Sequence, residues 1–314
     1  MGRFVFGVDV GGTTVKLGFF DAEGNVLDKW EIPTRTEDNG SKIIPDIAES
    51  ILAKMKEKGL EKSDVVGIGM GVPGPVKADG TVIKAVNLGW GVFNPNEQLS
   101  ELVGVPAKTG NDANVAALGE MWKGGGQGYQ DMVAVTLGTG VGGGVILGGR
   151  ILAGSNGAGG EIGHIHLEDS ETEACGCKGY GCLEQYASAT GIVRLAKRAL
   201  AASDKASVLR DTEITAKSVW DAVKEGDELA VGVANQYGEY LGKGLAAVAN
   251  VINPEIFVIG GGVSKAGKVV IEYMEPFFKK YVFHGAGNAK FALATLGNDA
   301  GIFGSAKLVL DEFV

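Results

Sequence analysis

A glycine-rich turn between two β-strand patterns occurs twice in this chain. The first turn spans residues 9–14 (DVGGTT) and the second spans Leu137–Gly144 (LGTGVGGG). Such a turn brings backbone N–H groups toward an anion, and its threonine hydroxyls add further donors. One turn of this kind is also typical of a plain hairpin. Two of them, each opening one half of the chain, favour a phosphate clamp.

Apolar periodicity and turn residues predict alternating strands and helices, and therefore an α/β protein. The predicted strands are Phe4–Val10, Val15–Phe20, Val26–Ile32, Val65–Gly71, Ala107–Thr109, Met132–Leu137, Val141–Leu147, Arg150–Leu152, Ile256–Ile259 and Phe291–Leu296. The predicted helices are Ser41–Lys58 with Ser41 as cap, one from Asn111–Asn114 to Trp122, others from Leu183, Ala216 and Ser264, and Asp227–Val251 and Ala300–Leu310. Both halves begin with strand, glycine turn, strand, strand and helix, so we expect two α/β domains with the ligand in the cleft between them.

The Gly124–Gly126 run marks the predicted domain boundary. The N-terminal domain is predicted to span 1–123, joined by the C-terminal helix 300–314, and the C-terminal domain to span 124–299. A length of 314 residues with 45% hydrophobic content is enough to bury two cores.

Charge and hydropathy exclude some partners. The net charge of −9 argues against a nucleic-acid surface. No apolar run approaches the roughly 20 residues that span a bilayer. The first residues lack a signal-peptide pattern, and an odd number of cysteines fits a reducing compartment, so we expect a cytoplasmic protein.

Cys175, Cys177 and Cys182 form one short cluster, with His164 eleven residues before it. Three thiolates and an imidazole are the ligand set of a closed, structural zinc site. Buried cysteines acting as small apolar residues are the alternative. His166 is equally well spaced, so the pattern leaves the choice of histidine open. Glu161 and Glu184 flank this cluster, which predicts a polar wall that holds a small polar ligand.

Asp112 follows a predicted strand at the start of a helix, between Asn111 and Asn114. Helix capping and general-base catalysis explain a carboxylate at this place equally well. Asp9, at the end of the first strand, is a candidate ligand for hydrated Mg²⁺. Gly260–Gly262 also follow a strand, a weak indication of a nucleoside that lies against the backbone.

Together these motifs resemble the ROK family (repressors, open reading frames and kinases), most closely its bacterial ATP-dependent glucokinases. The matching segments are Asp9–Thr13, Gly71–Pro75, Asn111–Asn114, Leu137–Gly144, Gly160–His164 and Cys175–Glu184. They cover the chain from end to end in the family's order. In one departure, Lys178 stands where the family's cysteine cluster usually has glycine.

The resemblance implies an actin-like ATPase (ribonuclease H-like) fold that transfers the γ-phosphate of ATP to the 6-hydroxyl of glucose, with Mg²⁺ and structural Zn²⁺. Asp112 would be the general base. The implied sugar-binding residues are Gly74, Asn87, Asn111, Asp112, Glu161, His164 and Glu184. The implied nucleotide-binding residues are Asp9, Gly11, Gly12, Thr13, Thr14, Gly138, Thr139, Gly140, Gly260, Gly261 and Gly262. The implied zinc ligands are His164, Cys175, Cys177 and Cys182.

Other activities within the family stay open at this point. The hexose could be N-acetylglucosamine, mannose, fructose or allose, and the donor could be polyphosphate. A non-catalytic sugar sensor or repressor is a less favoured reading, because no basic segment or helix-turn-helix precedes the first predicted strand. The family also suggests a homodimer.

Overall fold

A computed structural model describes residues 3–314 of the protein. Packing divides the chain into two compact units. The first comprises the chain up to Gln130, Gly144–Gly160 and Leu296–Val314, and the second comprises Asp131–Gly143 and Glu161–Thr295. The sequence-based division at residue 123 stays a prediction.

Strands and helices alternate along the chain. The strands are β1 Phe4–Val10, β2 Thr14–Asp21, β3 Val26–Pro33, β4 Val65–Val72, β5 Ala107–Asn111, β6 Met132–Leu137, β7 Val141–Leu147, β8 Arg150–Ile151, β9 Ile256–Gly260 and β10 Lys290–Leu293. The helices are α1 Glu37–Gly40, α2 Ile43–Lys58, α3 Pro95–Val103, α4 Asp112–Lys123, α5 Glu184–Ala187, α6 Ala189–Ala202, α7 Ala216–Lys224, α8 Glu228–Ile252, α9 Val269–Tyr281 and α10 Ala300–Phe313.

The sheet of the first unit has the strand order β3-β2-β1-β4-β5. β1 pairs antiparallel with β2, whereas β1, β4 and β5 run parallel to one another. α2 buries Ile43, Ile47 and Ile51 in the core of this unit. Parallel strands need helical connections and have their carboxyl ends at a common edge, where ligands bind in folds of this class.

The C-terminal helix α10 belongs to the core of the first unit. A Cβ on Gly69 of β4 would lie 1.7 Å from the Ser305 carbonyl oxygen, and one on Gly304 would lie 1.5 Å from that of Val115. Only glycine permits this approach, so α10 lies directly on the sheet and on α4. The Ser305 hydroxyl donates to the Val8 carbonyl oxygen at 2.8 Å.

The second sheet has the order β10-β9-β6-β7-β8, with β9 parallel to both β6 and β10. The long helix α8 supplies much of the second unit's core, including Leu241, Leu245 and the fully buried Tyr237. The Tyr237 hydroxyl donates to the Ala187 carbonyl oxygen at 2.7 Å, which ties α8 to α5.

Most predicted elements are confirmed, but several boundaries are wrong. Ser41 is not a helix cap, because α2 begins at Ile43 after a short turn in which Asp38 and Asn39 are left-handed. The last strand ends at Leu293 instead of Leu296, and the helix expected from Ser264 is a 3₁₀ turn followed by α9. Ser188 is extended and separates α5 from α6, where a single helix was predicted.

No helix within residues 3–314 combines the length and the apolar character needed to cross a membrane.

Candidate functional site

Three strands of the first unit end at one edge of its sheet. Asp9 of β1 lies beside Gly71 of β4, and Val72 lies beside Asn111 of β5. The segments that follow these strands carry the predicted phosphate turn, Gly74 and Asp112. The parallel register therefore places these predicted residues along the ligand-binding edge of this sheet.

Asp112 is the first residue of α4, and Asn111 is its cap. The Asn111 side-chain oxygen accepts from the Asn114 backbone N–H at 3.0 Å. The Asp112 Oδ1 atom accepts from the Ala113 N–H at 2.8 Å and from the Asn111 side-chain nitrogen at 2.9 Å. Capping by Asp112 was the competing explanation, and it is wrong because Asn111 performs it. The carboxylate is half-buried, held by donors at the helix start.

Gly74 is tied to the same cluster. Its carbonyl oxygen accepts from the Asn111 side-chain nitrogen at 3.0 Å. Its φ is +89°, and a Cβ there would lie 2.1 Å from the Lys84 carbonyl oxygen, so glycine is required. Asn87 is exposed in the 3₁₀ turn Val86–Leu88, and a Cβ on Gly12 would lie 3.7 Å from its Cβ. Asn87 therefore borders the phosphate turn.

The first glycine turn is closed by backbone hydrogen bonds and held by the end of β3. The Gly11 N–H donates to the Thr14 carbonyl at 3.0 Å. Thr34 donates through its hydroxyl to the Gly11 carbonyl at 2.7 Å and through its N–H to the Thr13 carbonyl at 2.9 Å. Gly11, Gly12 and Thr13 are exposed, so the turn is fixed in shape and open to a ligand.

Asp9 and Asp112 influence each other electrostatically. Burial and the negative charge of Asp112 raise the pKa of Asp9 to about 6, against the opposing effect of Lys16. A site that crowds two carboxylates favours a divalent cation with oxygen ligands. The donor set at Asp9 therefore fits Mg²⁺, with the exposed turn beside it for phosphate.

Asp9→Asn is expected to stabilise the fold while it lowers activity. Because folding raises the pKa of Asp9 from 3.8 to about 6, ionised Asp9 lowers the free energy of unfolding above pH 6. This destabilisation decreases as the pH falls from 6 toward 3.8. The substitution should therefore add on the order of 2 kcal/mol to the free energy of unfolding at pH 8, and progressively less in acid. Urea unfolding across this pH range measures the effect.

Asp21→Asn is the matched control for this experiment. Asp21 ends the neighbouring strand β2, and its carboxylate accepts from the Asn25 backbone and side chain at 2.8 Å and 2.7 Å. These bonds lower the pKa of Asp21 despite partial burial, so its neutralisation should not stabilise the protein. A loss of stability in Asp9→Asn at pH 8 would contradict the argument.

In the second unit, His164, Cys175, Cys177 and Cys182 come together. Their ligand atoms all lie within 4.8 Å of one another. The Cys177 and Cys182 sulfurs are 3.7 Å apart, and the Cys175 sulfur is 3.8 Å from His164 Nδ1. Sulfurs bound to one tetrahedral zinc at about 2.3 Å lie about 3.8 Å apart, whereas a disulfide needs about 2.0 Å. The geometry thus fits a closed zinc site.

The pKa values of the clustered thiols are consistent with a cation bound among them. Burial and the adjacent Cys177 and Cys175 raise the pKa of Cys182 to about 12. The Gly179 N–H, by contrast, lowers the pKa of the exposed Cys177. Three neighbouring thiolates need a positive charge to stay ionised, and a bound zinc ion would supply it.

His166 lies outside this cluster. Its Nδ1 is 2.7 Å from the Tyr180 carbonyl oxygen and its Nε2 is 2.8 Å from Asp169 Oδ1. Both ring nitrogens are thus engaged elsewhere. Of the two histidines, His164 is the one that lies with the three cysteines, and its Nε2 is 3.9 Å from Glu161 Oε2.

Glu184 connects the cysteine cluster with the second glycine turn. Its Oε1 is 3.5 Å from the Cys175 sulfur, and its Oε2 accepts from the Val141 N–H at 3.0 Å. The turn itself is held by the start of α6, where the Thr190 hydroxyl donates to the Thr139 carbonyl at 2.9 Å. Gly140 lies against the Glu184 carboxylate.

The third glycine run lies beside the end of β6. A Cβ on Gly261 would lie 2.6 Å from the Leu137 carbonyl oxygen, directly before Gly138. Gly260 is the last residue of β9, and Gly261 and Gly262 are exposed. The predicted residues of the second unit therefore form two neighbouring groups, the glycine runs and the metal cluster, joined through Glu184.

The lysine that departs from the family pattern has a left-handed backbone. Lys178 has φ +70°, and its N–H donates to the Cys175 carbonyl at 2.8 Å. This conformation costs a residue with a side chain roughly 1 kcal/mol, which explains why glycine suits the position. The loop still closes around the cysteines with lysine there.

Sequence reasoning missed a buried ion-pair network behind the metal loop. Glu171 has a side chain that is 1% exposed, and it accepts from the Tyr186 hydroxyl at 2.5 Å and from Arg194. Arg198 lies 3.5 Å from the same carboxylate. Burial raises the pKa of Glu171, but these partners and the Glu173 N–H outweigh it and hold the value at about 2. Glu171 is one of several acidic residues at 168–173, and nothing in the sequence separates it from the others.

Glu171→Gln is expected to destabilise the protein by about 3 kcal/mol at pH 7, because it leaves Arg194 without its buried counter-charge. The contribution of ionised Glu171 is fully present above pH 4.5 and is lost as the pH falls toward 2. Chemical unfolding of the two proteins at pH 7 and pH 3 should therefore give a smaller difference in acid.

Glu173→Gln is a matched control, since Glu173 pairs with the same two arginines but is 67% exposed. Exposed pairs contribute about 0–1 kcal/mol. Equal destabilisation by the two variants would show that burial of Glu171 is not what matters.

The chain is similar to known proteins along nearly its whole length. The ROK family model matches residues 5–312. A glucokinase of Halalkalibacterium halodurans is 44% identical over 316 residues, covering 99% of this chain and 96% of that protein. The ROK hexokinase of Thermus thermophilus is 32% identical with a TM-score of 0.81, covering 98% of both chains. The ROK family glucokinase of Streptomyces griseus, solved with glucose and AMPPNP, is 34% identical with a TM-score of 0.71 and covers 97% of this chain and 98% of that one.

The match along nearly the whole chain covers both glycine turns, Asp112 and the cysteine cluster. The fold is that of the actin-like ATPases to which these sugar kinases belong. This chain belongs to the ROK family.

Proposed function

We propose that this protein is an ATP-dependent glucokinase, which transfers the γ-phosphate of ATP to the 6-hydroxyl of glucose. The observation that carries the proposal is the half-buried Asp112 carboxylate, held at the start of α4 beside an open phosphate turn. Glucokinases at 44% and 36% identity over almost the entire chain support the same activity.

Asp112 is the proposed general base. The glucose 6-hydroxyl attacks the γ-phosphorus, its proton passes to the Asp112 carboxylate, and the bond from the γ-phosphorus to the oxygen of ADP breaks. Phosphoryl transfer depends mainly on positioning and on charge stabilisation. Asn111 orients the base through its 2.9 Å hydrogen bond to Asp112 Oδ1.

The other hydroxyls of the sugar are assigned to Asn111, Glu161, His164 and Glu184, with Gly74 and Asn87 lining the site. Carboxylates accept hydrogen bonds from hydroxyls, and amides both accept and donate them. An imidazole held in one orientation can also fix the orientation of the sugar. His164 suits this role, because its Nδ1 faces the thiols and its Nε2 faces Glu161.

The phosphates are assigned to the two glycine turns, Gly11–Thr14 and Gly138–Gly140, and the adenosine to Gly260–Gly262. Mg²⁺ would be held at Asp9, where it would offset negative charge on the phosphates. Zinc would be held by His164, Cys175, Cys177 and Cys182, and four protein ligands leave it a structural role. The homodimer and the cytoplasmic location that the family suggests stay predictions.

An assay of purified protein against a panel of hexoses and donors tests the proposal. We expect kcat/KM for glucose with ATP to exceed that for N-acetylglucosamine, mannose, fructose and allose by at least about tenfold, since a missing or misplaced hydroxyl leaves buried polar groups unpaired. Polyphosphate should replace ATP poorly. A preference for another hexose would show that the protein is a sugar kinase with a substrate other than glucose. If no sugar were phosphorylated, a non-catalytic sugar sensor would be the favoured interpretation.

A further inference from the structure

Helix α5 is a single turn, Glu184–Ala187, and it carries the proposed sugar-binding residue Glu184. Within residues 3–314, no side-chain hydrogen bond caps the start of this turn. One helical turn forms too few hydrogen bonds to offset the cost of helix nucleation, so it is not stable on its own. The position of the Glu184 carboxylate therefore depends on contacts that other elements make with α5.

The Glu184 carboxylate tolerates little displacement. Its Oε2 accepts from the Val141 N–H at 3.0 Å, and its Oε1 is 3.5 Å from the Cys175 sulfur. A Cβ on Gly140 would lie 2.1 Å from Oε2, so the second glycine turn lies directly against the carboxylate. Hydrogen bonds weaken steeply as their distance and angle depart from the optimum, so a small shift of α5 would break these contacts.

Tyr186 anchors α5 in the core of the second unit. The residue is 2% exposed, and its ring stacks on Tyr240 of α8 with the ring centroids 3.9 Å apart. Its hydroxyl donates to Glu171 Oε2 at 2.5 Å. The Glu171 carboxylate is itself fixed, because it is buried and also accepts from Arg194. A hydrogen bond to an ionised acceptor is roughly twice as strong as a neutral one, so this bond holds α5 firmly in place.

Gln185 fastens α5 to the metal loop by neutral hydrogen bonds. Its side-chain oxygen accepts from the Cys182 N–H at 3.1 Å, and its side-chain nitrogen donates to the Glu173 carbonyl oxygen at 2.9 Å. Gln185 is only partly buried, and neutral bonds of this kind are weaker than a charge-assisted one. The bond between Tyr186 and Glu171 therefore contributes more to the position of α5.

We propose that Tyr186 is a positioning residue of the sugar site. Its bond to Glu171 fixes α5, and α5 in turn fixes the Glu184 carboxylate. Because Tyr186 is buried, it acts through Glu184 and not by contact with the sugar. The inference rests on the proposed function, which assigns Glu184 to a glucose hydroxyl other than the 6-hydroxyl that reacts.

Tyr186→Phe tests the proposal in steady-state kinetics of the full chain. The substitution removes the hydroxyl but keeps the ring on Tyr240 and leaves Glu171 paired with Arg194, so the protein should stay folded. We expect KM for glucose to rise at least about fivefold while kcat changes less than about twofold, because the lost contact is made equally in the ground state and the transition state. KM for ATP should change less than about threefold, since Thr190 still holds the second glycine turn.

Tyr281→Phe is the matched control. Tyr281 is the last residue of α9, and its hydroxyl donates to Glu239 Oε1 of α8 at 2.5 Å, the length of the bond from Tyr186 to Glu171. The control therefore removes the same kind of bond from the same unit, but between two other helices. Its kcat and both KM values should match those of the unmodified protein.

Hydrogen exchange of the Val141 amide gives a second readout that needs no substrate. Val141 is 5% exposed, and its N–H donates to Glu184 Oε2. If α5 shifts, this N–H loses its acceptor and should exchange at least about tenfold faster in Tyr186→Phe, as measured by NMR on the labelled full chain. The exchange rate should not change in Tyr281→Phe.

Several results would overturn the inference. One is an unchanged KM for glucose in a Tyr186→Phe protein whose unfolding curve shows that it is folded. Others are an equal rise of KM in both variants, a parallel loss of kcat and of ATP affinity, which would indicate a purely structural role, or an unchanged exchange rate at Val141. Failure of the unmodified protein to phosphorylate any sugar would refute the proposed function instead, and the exchange rate would still decide whether Tyr186 positions Glu184.

Discussion

Asp112→Asn is expected to lower kcat for glucose phosphorylation by roughly 10³-fold, within the range that general-base catalysis contributes. The amide keeps the shape of the side chain, and its oxygen can still accept from the Ala113 N–H, as the carboxylate does at 2.8 Å. It cannot, however, take the proton of the attacking hydroxyl. Glucose affinity and the unfolding midpoint should therefore change little, and steady-state kinetics with direct glucose titration measure both effects.

Asp79→Asn is a suitable control, because Asp79 is an exposed carboxylate of the same unit that accepts from the Thr81 N–H at 2.8 Å. Its activity should match that of the unmodified protein. If Asp112→Asn retained more than about a tenth of kcat, another group would have to be the base. Loss of glucose binding in step with kcat would instead make Asp112 a binding residue.

Removal of zinc is the second large effect, and we expect it to weaken glucose binding by at least about tenfold. Without the proposed metal, the thiols near Glu184 and the ring of His164 would lose the bonds that orient them, and small displacements of substrate contacts are costly. ATP affinity should change less than about threefold, because no cysteine belongs to the glycine turns. Metal analysis and titration of each ligand before and after chelation measure these changes.

His164→Gln and His166→Gln form a matched pair for this prediction. His164 belongs to the ligand cluster, whereas His166 is bound to Tyr180 and Asp169. Only the first substitution should lower the zinc content, and added zinc should restore the chelated protein but not this variant. Loss of metal in His166→Gln, or equal loss of glucose and ATP affinity on chelation, would contradict the division of roles.

Much of the fold follows from local sequence patterns. β1, β6 and β7 have the predicted bounds, because each is a compact apolar segment that ends at glycine or polar turn residues. α3 was missed although Asn94 caps it and Pro95 occupies its first turn, a recognisable start signal. The end of β10 was wrong because the ladder to β9 stops at Leu293, and such pairing is not encoded locally.

The candidate site was predictable in composition but not in geometry. Residue types and order predicted that the three cysteines cluster with a histidine, as they do, whereas spacing could not separate His164 from His166. That choice depends on where Tyr180 and Asp169 lie after folding. The capping role of Asn111, the left-handed Lys178 and the anchoring of the metal loop by Glu171 are likewise properties of tertiary packing.

The position of α10 has a consequence for synthesis on the ribosome. β1 is made long before α10, the helix at 300–313 that covers its sheet. At 5–20 residues per second, about 300 residues take roughly 15 to 60 s. The second unit, which ends at Thr295, emerges before the first can close. During that interval the nascent chain exposes the apolar face of the first sheet, where a chaperone would bind.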